Sequence, residues 1–218
     1  MKLTANSDCW LKPVLLCSDP FRGDNNKLIF CAPIKYQIEA SINRHSCDKI
    51  VNQLSESQQS VSQFIVKQPY FLVDKLTKRA IGWPFDTFDE LNVSANYAVG
   101  ANRAVGRDID EAFYRASLYA GLPISASNVE DLPSMWSFEL GPTPGTNIGD
   151  QLWMARYLLQ YIGEQFGFVI SFEPLRHIQS KHQFIQLWTT EKCCEKQLFA
   201  MNSDPYIAIK EICLAKLS

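Results

Sequence analysis

The stretch NVEDLPSMWSFELGPTPG, residues Asn128 to Gly145, reads as a turn, a strand and a second turn. Its middle alternates with a period of two. Trp136, Phe138 and Leu140 fall on one face, suited to a core, and Met135, Ser137 and Glu139 fall on the other. Three carboxylates, Glu130, Asp131 and Glu139, lie within ten positions of one another. Clustered carboxylates suit a hard divalent cation or a general acid/base pair. Ser137, between two large aromatics, breaks that series.

Outward from this strand the chain mixes strands and helices without strict βαβ alternation, which predicts an α+β fold. KLIFCAPI (27–34) follows the turn signal DPFRGDNN and reads as a strand. INRHSCDKIVNQL aligns Ile42, Cys47, Ile50, Val51 and Leu54 on one helical face and leaves His45 on the polar side; ESQQSVSQ (56–63) reads as a loop. FIVKQPYFLVD is apolar but carries Pro69, which predicts an edge or bulged strand because proline lacks a ladder donor.

GRDIDEAFYRASLYAG predicts a helix capped by Asp108 with Glu111 three residues on. Its buried stripe is Ile109, Ala112, Phe113, Ala116 and Tyr119/Ala120, and Gly121 is its stop. LPISASN reads as a strand. IGDQLWMARYLLQYIGEQFG predicts a second helix with Leu152, Ala155, Leu159, Ile162 and Phe166 in register and Gly167 at its end. FVISFEP reads as a strand, and SDPYIAIKEICLAKLS as a helix with Ser203 or Asp204 as cap and Pro205 in the first turn.

At 218 residues, 46% hydrophobic and 20% charged, the chain is long enough for a sizeable core. A net charge of −2 offers no basic field for nucleic acid, and no apolar run approaches the roughly 20 residues of a membrane span. The first ten residues carry no apolar signal-peptide core, and the seven cysteines are irregularly spaced with no C-x-x-C pair. The expectation is a cytoplasmic protein with free thiols, no nucleic-acid partner and no membrane.

Four long stretches carry a resemblance: NSDCWLKPVLLCSDPFRGDNNKLIFCAPIKY, IGWPFD, AVGANRAVGRDIDEAFYRASLYAGLPISASNVEDLPSMWSFELGP and GDQLWMARYLLQYIGEQFGFVISFEP. In order and spacing they resemble glutamine synthetases of the eukaryotic type, from about Asn6 to Pro174. The resemblance implies a catalytic-domain-like α+β fold, a curved antiparallel sheet flanked by helices. It implies residues 1–20 as a remnant of the N-terminal β-grasp domain. Residues 21–218 would be a partial catalytic domain with a divergent tail from about 175. The family's reaction is ATP-dependent ligation of ammonia to glutamate, with two Mg or Mn ions and arginines stabilising the transferred phosphoryl group.

The family's metal ligands carry over poorly. Its Glu-x-Glu-Tyr motif matches Lys67-Gln68-Pro69-Tyr70, so Lys67 and Pro69 stand at glutamate positions. Its motif Asn-x-Glu-x-x-Pro-x-x-Trp-Glu-Phe-Gln-x-Gly-Pro matches Asn128–Pro142. Glu130 is kept, Ser137 replaces a metal glutamate and Glu139 replaces a glutamine. The family's metal histidine falls at Ile185 or Leu187, and His182 would serve only from a shifted loop. The distal glutamate and phosphate-binding arginines find no counterpart before Ser218.

Glu130 is thus the one retained family metal ligand, Lys67, Pro69, Ser137 and Glu139 are degenerate site positions, and no residue is assigned to catalysis. Lys67 is placed to bind an anion or to pair with Glu130. Arg103 and Arg107 are read as structural, pairing with Asp108, Asp110 or Glu111. No cofactor is expected, although the family uses ATP with Mg or Mn. The leading expectation is an inactive family member with a structural or interaction role, binding another protein or a complete glutamine synthetase. The alternatives are an active or regulatory ligase subunit in a hetero-oligomer, or a small-ligand sensor.

Overall fold

The computed structural model describes residues 10–34, 43–58, 63–83, 99–100, 103–172, 183–188, 193–200 and 204–217. Two strands, β1 (Trp10–Ser18) and β2 (Lys27–Ile34), form an antiparallel ribbon. Its turn is held by Asp19, whose Oδ1 accepts from the N–H groups of Phe21 (2.9 Å) and Arg22 (3.2 Å).

A second, six-stranded antiparallel sheet carries most of the fold. It contains β3 (Gln63–Asp74), β4 (Ile124–Val129), β5 (Met135–Pro144), β6 (Phe168–Ser171), β7 (Gln183–Trp188) and β8 (Cys193–Ala200). The order is β4-β5-β3-β7-β8, with β6 also on β3. Both β7 and β8 follow residue 175, in the segment expected to diverge from the family, and they extend the sheet.

Pro69 does not make β3 an edge strand. β3 lies in the middle of the sheet, with β5 along one side. On the other side β7 pairs residues 63–67 and β6 pairs residues 71–74. Leu72 donates its N–H to Ser134 on the β5 side (3.1 Å). Strand alternation therefore turns the Pro69 nitrogen the other way, into the interval between β7 and β6. A proline is tolerated there because no ladder bond is required of it.

The helices are α1 (Asn43–Gln58), α2 (Arg107–Ala120), α3 (Asn147–Phe166) and α4 (Pro205–Leu217). α3 packs on β3, β5 and β6, α2 on α3 and β4, and α4 on α1. Val66, Tyr70 and Leu72 of β3 join Trp136, Phe138 and Leu140 of β5 in the main core. Phe113 of α2 meets Phe138 with ring centroids 4.9 Å apart. Met135, Phe71 and Val73 form a small separate cluster. The alternation read in 135–140 is therefore present, but Ser137 on the second face is also fully buried.

Several local expectations are corrected. α1 runs three residues into the stretch read as a loop, as far as Gln58, and Gln63 at its end begins β3. His45 is half-buried and its Nε2 has no hydrogen-bond partner among the described residues, so it does not sit on the polar face. α2 starts at Arg107, one residue before the expected cap. Gly106 takes the cap position at φ +88°, and a Cβ there would lie 1.9 Å from Leu72 Cδ1. Only glycine brings the chain into the helix so close to β3. The buried stripe of α2 is Ile109, Asp110, Phe113, Ser117 and Ala120, while Tyr119 is exposed. Phe166, at the last turn of α3, is exposed too. Arg107 lies over the Trp136 ring (5.3 Å) and its charge acts on Asp110, in line with the structural role expected of it, while Glu111 pairs with Arg115 (3.9 Å).

Other expectations hold. Gly121 and Gly167 close their helices in the left-handed conformation, at φ +80° and +79°. Asp204 caps α4, its Oδ1 accepting from the Tyr206 N–H (3.0 Å). Cys17, Cys31, Cys47 and Cys213 are free thiols, and burial pushes Cys47 and Cys213 up to about 12. The side chains of Cys9, Cys193 and Cys194 lie outside the described residues, as does His182.

Asp110 enters the core in the polar company of Tyr70, whose hydroxyl donates to Oδ1 (3.0 Å), and Ser127, which donates to the same oxygen. Burial raises its pKa above the usual carboxylate value, against the lowering effect of those hydroxyls. The folded state then holds the proton to a higher pH than the unfolded chain does. Its stabilising contribution is complete below about pH 4 and is lost as pH rises through the folded pKa. Asp110→Asn should therefore gain on the parent protein as pH rises from about 4 to 7. Urea titrations at each pH check this, and a pH-independent difference would contradict it.

Candidate functional site

The residues that the resemblance sets at metal-ligand positions on β3 and β5 converge on the sheet face turned away from the helices. On β3, Gln68 and Tyr70 point into the helix-side core, so Lys67 and Pro69 point to the opposite face. On β5, Trp136 and Phe138 are core residues, so Ser137 shares the face of Pro69, its register partner. β4 ends at Val129, and Glu130 donates its N–H to Met135 (2.9 Å), which tucks the Glu130 side chain back over Ser137. Ser134, at φ +59°, turns the chain within that loop.

The resulting cluster is tight. Lys67 Nζ lies 2.5 Å from Glu130 Oε1, and Ser137 Oγ donates to the same oxygen at 2.6 Å. The Glu130 side chain is 6% exposed and that of Lys67 is 28%. Of the two readings of Lys67, the structure shows the pair with Glu130. Glu139 faces Lys67 in register, yet its carboxylate makes no ion pair among the described residues.

A divalent ion does not fit this donor set. Mg or Mn requires several oxygen ligands, mostly anionic, at about 2.0–2.2 Å. Here one carboxylate, one hydroxyl and one ammonium face one another, and the ammonium repels a cation. Among the described residues no group of three or more His, Cys, Asp and Glu side chains is arranged to hold a metal. Ile185 and Leu187, at the family's histidine position, lie on β7, where only the backbone is described.

One feature of the helix side escaped the sequence reading. Arg156 of α3 bonds the buried Gln68 carboxamide twice, Nε at 3.1 Å and Nη2 at 2.6 Å to Oε1. Its guanidinium stands 5.1 Å from the Trp153 ring centre and 5.4 Å from that of Phe172. Burial draws its pKa down to about 10. It lines an open concavity of about 620 Å³ between α3 and β6, together with Tyr157, Gln160 and Val169. The available signal was the spacing of Trp153, Arg156, Tyr157 and Gln160, a second stripe beside the apolar one.

The antiparallel sheet with helices on one face, and the Lys67–Glu130–Ser137 cluster on the other, fits a glutamine synthetase-like fold. Curated relatives agree. The chain is 42% identical to "Glutamine synthetase" of Rattus norvegicus over 172 residues, 78% of this chain and 45% of that protein. It is 41% identical to "Glutamine synthetase" of Homo sapiens over 172 residues, with the same coverage. It is 38% identical to "Probable glutamine synthetase" of Caenorhabditis elegans over 171 residues, 78% of this chain and 46% of that one. A solved structure described as "GmaS/ADP complex-Conformation 1" shares the fold with a TM-score of 0.68 at 15% identity, covering 93% of this chain and 46% of that one. No family model matches the chain. The chain belongs to the glutamine synthetase family. It spans about half the length of the curated relatives it matches. No helix among the described residues is long and apolar enough to cross a membrane.

Proposed function

We propose that this chain does not itself ligate ammonia to glutamate, and that it acts through contact with another protein. The observation that carries the reading is the Lys67–Glu130–Ser137 cluster. Phosphoryl transfer from ATP requires concentrated positive charge on the phosphates, usually from divalent ions held by carboxylates. In this chain the retained carboxylate is already neutralised by an internal ammonium. A single lysine charge, engaged at 2.5 Å by Glu130, does not replace two metals.

Purified protein given ATP, Mg or Mn, glutamate and ammonia should release phosphate at the background rate. A glutamate-dependent rate that survives removal of contaminating synthetase would refute the reading.

A surface suited to a partner supports the second half of the proposal. On the β1–β2 ribbon, Leu16 and Ile29 are register partners and are 64% and 60% exposed. Trp10, on the same ribbon, is 65% exposed. Adjacent exposed apolar side chains of this size mark contact surfaces more often than isolated ones do. The first partner to test is a complete glutamine synthetase, by co-purification and by light scattering of the mixture against each protein alone. Two independent, unshifted scattering peaks would argue against it.

A further inference from the structure

We infer that Lys67 is a built-in cation that takes over the charge-neutralising work of a divalent ion on Glu130, and so closes this site to external metal. The inference rests on the reading above that the site no longer performs metal-dependent ligation. It goes further by assigning Lys67 a positive role.

Glu130 is almost fully buried, and a buried carboxylate must be paired or protonated. Its Oε1 receives the Lys67 ammonium and the Ser137 hydroxyl, at distances of strong charge-assisted bonds. The geometry comes from strand register. Pro69 is the register partner of Ser137, and Lys67, two residues along β3, is that of Glu139 two residues along β5. Both substituted positions therefore share the face over which Glu130 folds. A serine in place of a longer acid leaves room above Ser137 for the lysine to cross from β3. The substitutions are thus coupled: one supplies the charge, the other the space and a second donor.

The test is thermal unfolding with and without millimolar Mn²⁺, at matched ionic strength, on the whole chain. The parent protein should show no saturable Mn²⁺ shift. Lys67→Glu, which places two carboxylates beside the Ser137 hydroxyl, should melt lower in metal-free buffer. It should gain about 3–6 °C at ten times its Kd for Mn²⁺. A saturable shift in the parent protein, or no Mn²⁺ gain in folded Lys67→Glu, overturns the inference.

If Lys67→Glu fails to fold, Lys67→Gln and Lys67→Gln/Glu130→Gln provide the decision. The single change should lower the Tm, and the double change should recover most of the loss, because the orphaned charge has gone. A double variant as unstable as the sum of Lys67→Gln and Glu130→Gln, each measured alone, overturns it. Phosphate release by the same parent sample separates the two claims. Inactive protein that binds Mn²⁺ saturably sinks only the built-in cation, whereas metal-dependent activity sinks both.

Discussion

Arg44→Ala should destabilise the protein by about 3 kcal/mol, near the lower end of the range for breaking a buried ion pair. Arg44 of α1 grips Asp150 of α3 through two bonds, Nε to Oδ1 at 2.8 Å and Nη2 to Oδ2 at 2.7 Å. Tyr206 of α4 donates its hydroxyl to Asp150 Oδ1 at 2.6 Å. Three helices from distant parts of the chain thus meet on one carboxylate that is 1% exposed. The aspartate holds the Arg44 pKa above its usual value. Removing the arginine leaves that carboxylate buried with only neutral donors. The arginine side chain keeps 22% of its exposure, which sets the expectation at the lower end of the range.

The same change should loosen α1 and α4 more than α2, because Asp150 is their shared anchor. Close packing reinforces that anchor: a Cβ on Gly149 would lie 2.5 Å from Tyr206 Cε1, so α4 approaches α3 over a glycine. Hydrogen exchange would read this directly, with protection lost first in 43–58 and 205–217. Uniform loss across all four helices would show that the pair contributes only to global stability. Arg44→Ala/Asp150→Asn should recover part of the loss, since no buried charge is then left unpaired.

Gly141→Ala should cost at least about 3 kcal/mol, combining an unfavourable backbone conformation with a steric clash. Gly141 sits at φ +109°, outside the region open to residues with a Cβ. An added Cβ would stand 2.5 Å from the Phe64 carbonyl oxygen and 3.2 Å from Ile65 Cα. Both contacts are backbone of the central strand, at the point where the β3–β5 register shifts between Phe64 and Val66. Neither strand can yield without breaking the ladder. Gly121→Ala is the matched control, since φ is +80° there but nothing lies within 4 Å of the added carbon. It should cost about 1–2 kcal/mol, from conformation alone. Equal losses in the two variants by urea unfolding would show that the close strand approach is not the cause.

What the sequence determined by itself was what depends on neighbours in the chain. The alternation of Trp136, Phe138 and Leu140, the glycine stops at Gly121 and Gly167, and the Asp204 cap are local patterns, and each reappears in the structure. Family membership was also legible, because long ordered motifs keep their spacing however the chain folds. The expectation that Lys67, Pro69 and Ser137 stand where the family carries metal carboxylates rests on the same motif spacing.

Tertiary structure decided whatever depends on partners far along the chain. Pro69 predicted an edge or bulged strand; β3 is central, with an irregular register against β5 between Phe64 and Val66, and two different strands share its other side and leave the Pro69 nitrogen in the interval. Asp108 had the chemistry of a cap, but Gly106 was required for close approach to Leu72, which moved the helix start. Asp110 and Ser117 broke the apolar stripe of α2, and Asp110 is buried because Tyr70 and Ser127 supply its donors from other elements. Lys67 left two options open in the sequence. Strand register and the return of Glu130 over Ser137 made it an ion-pair partner.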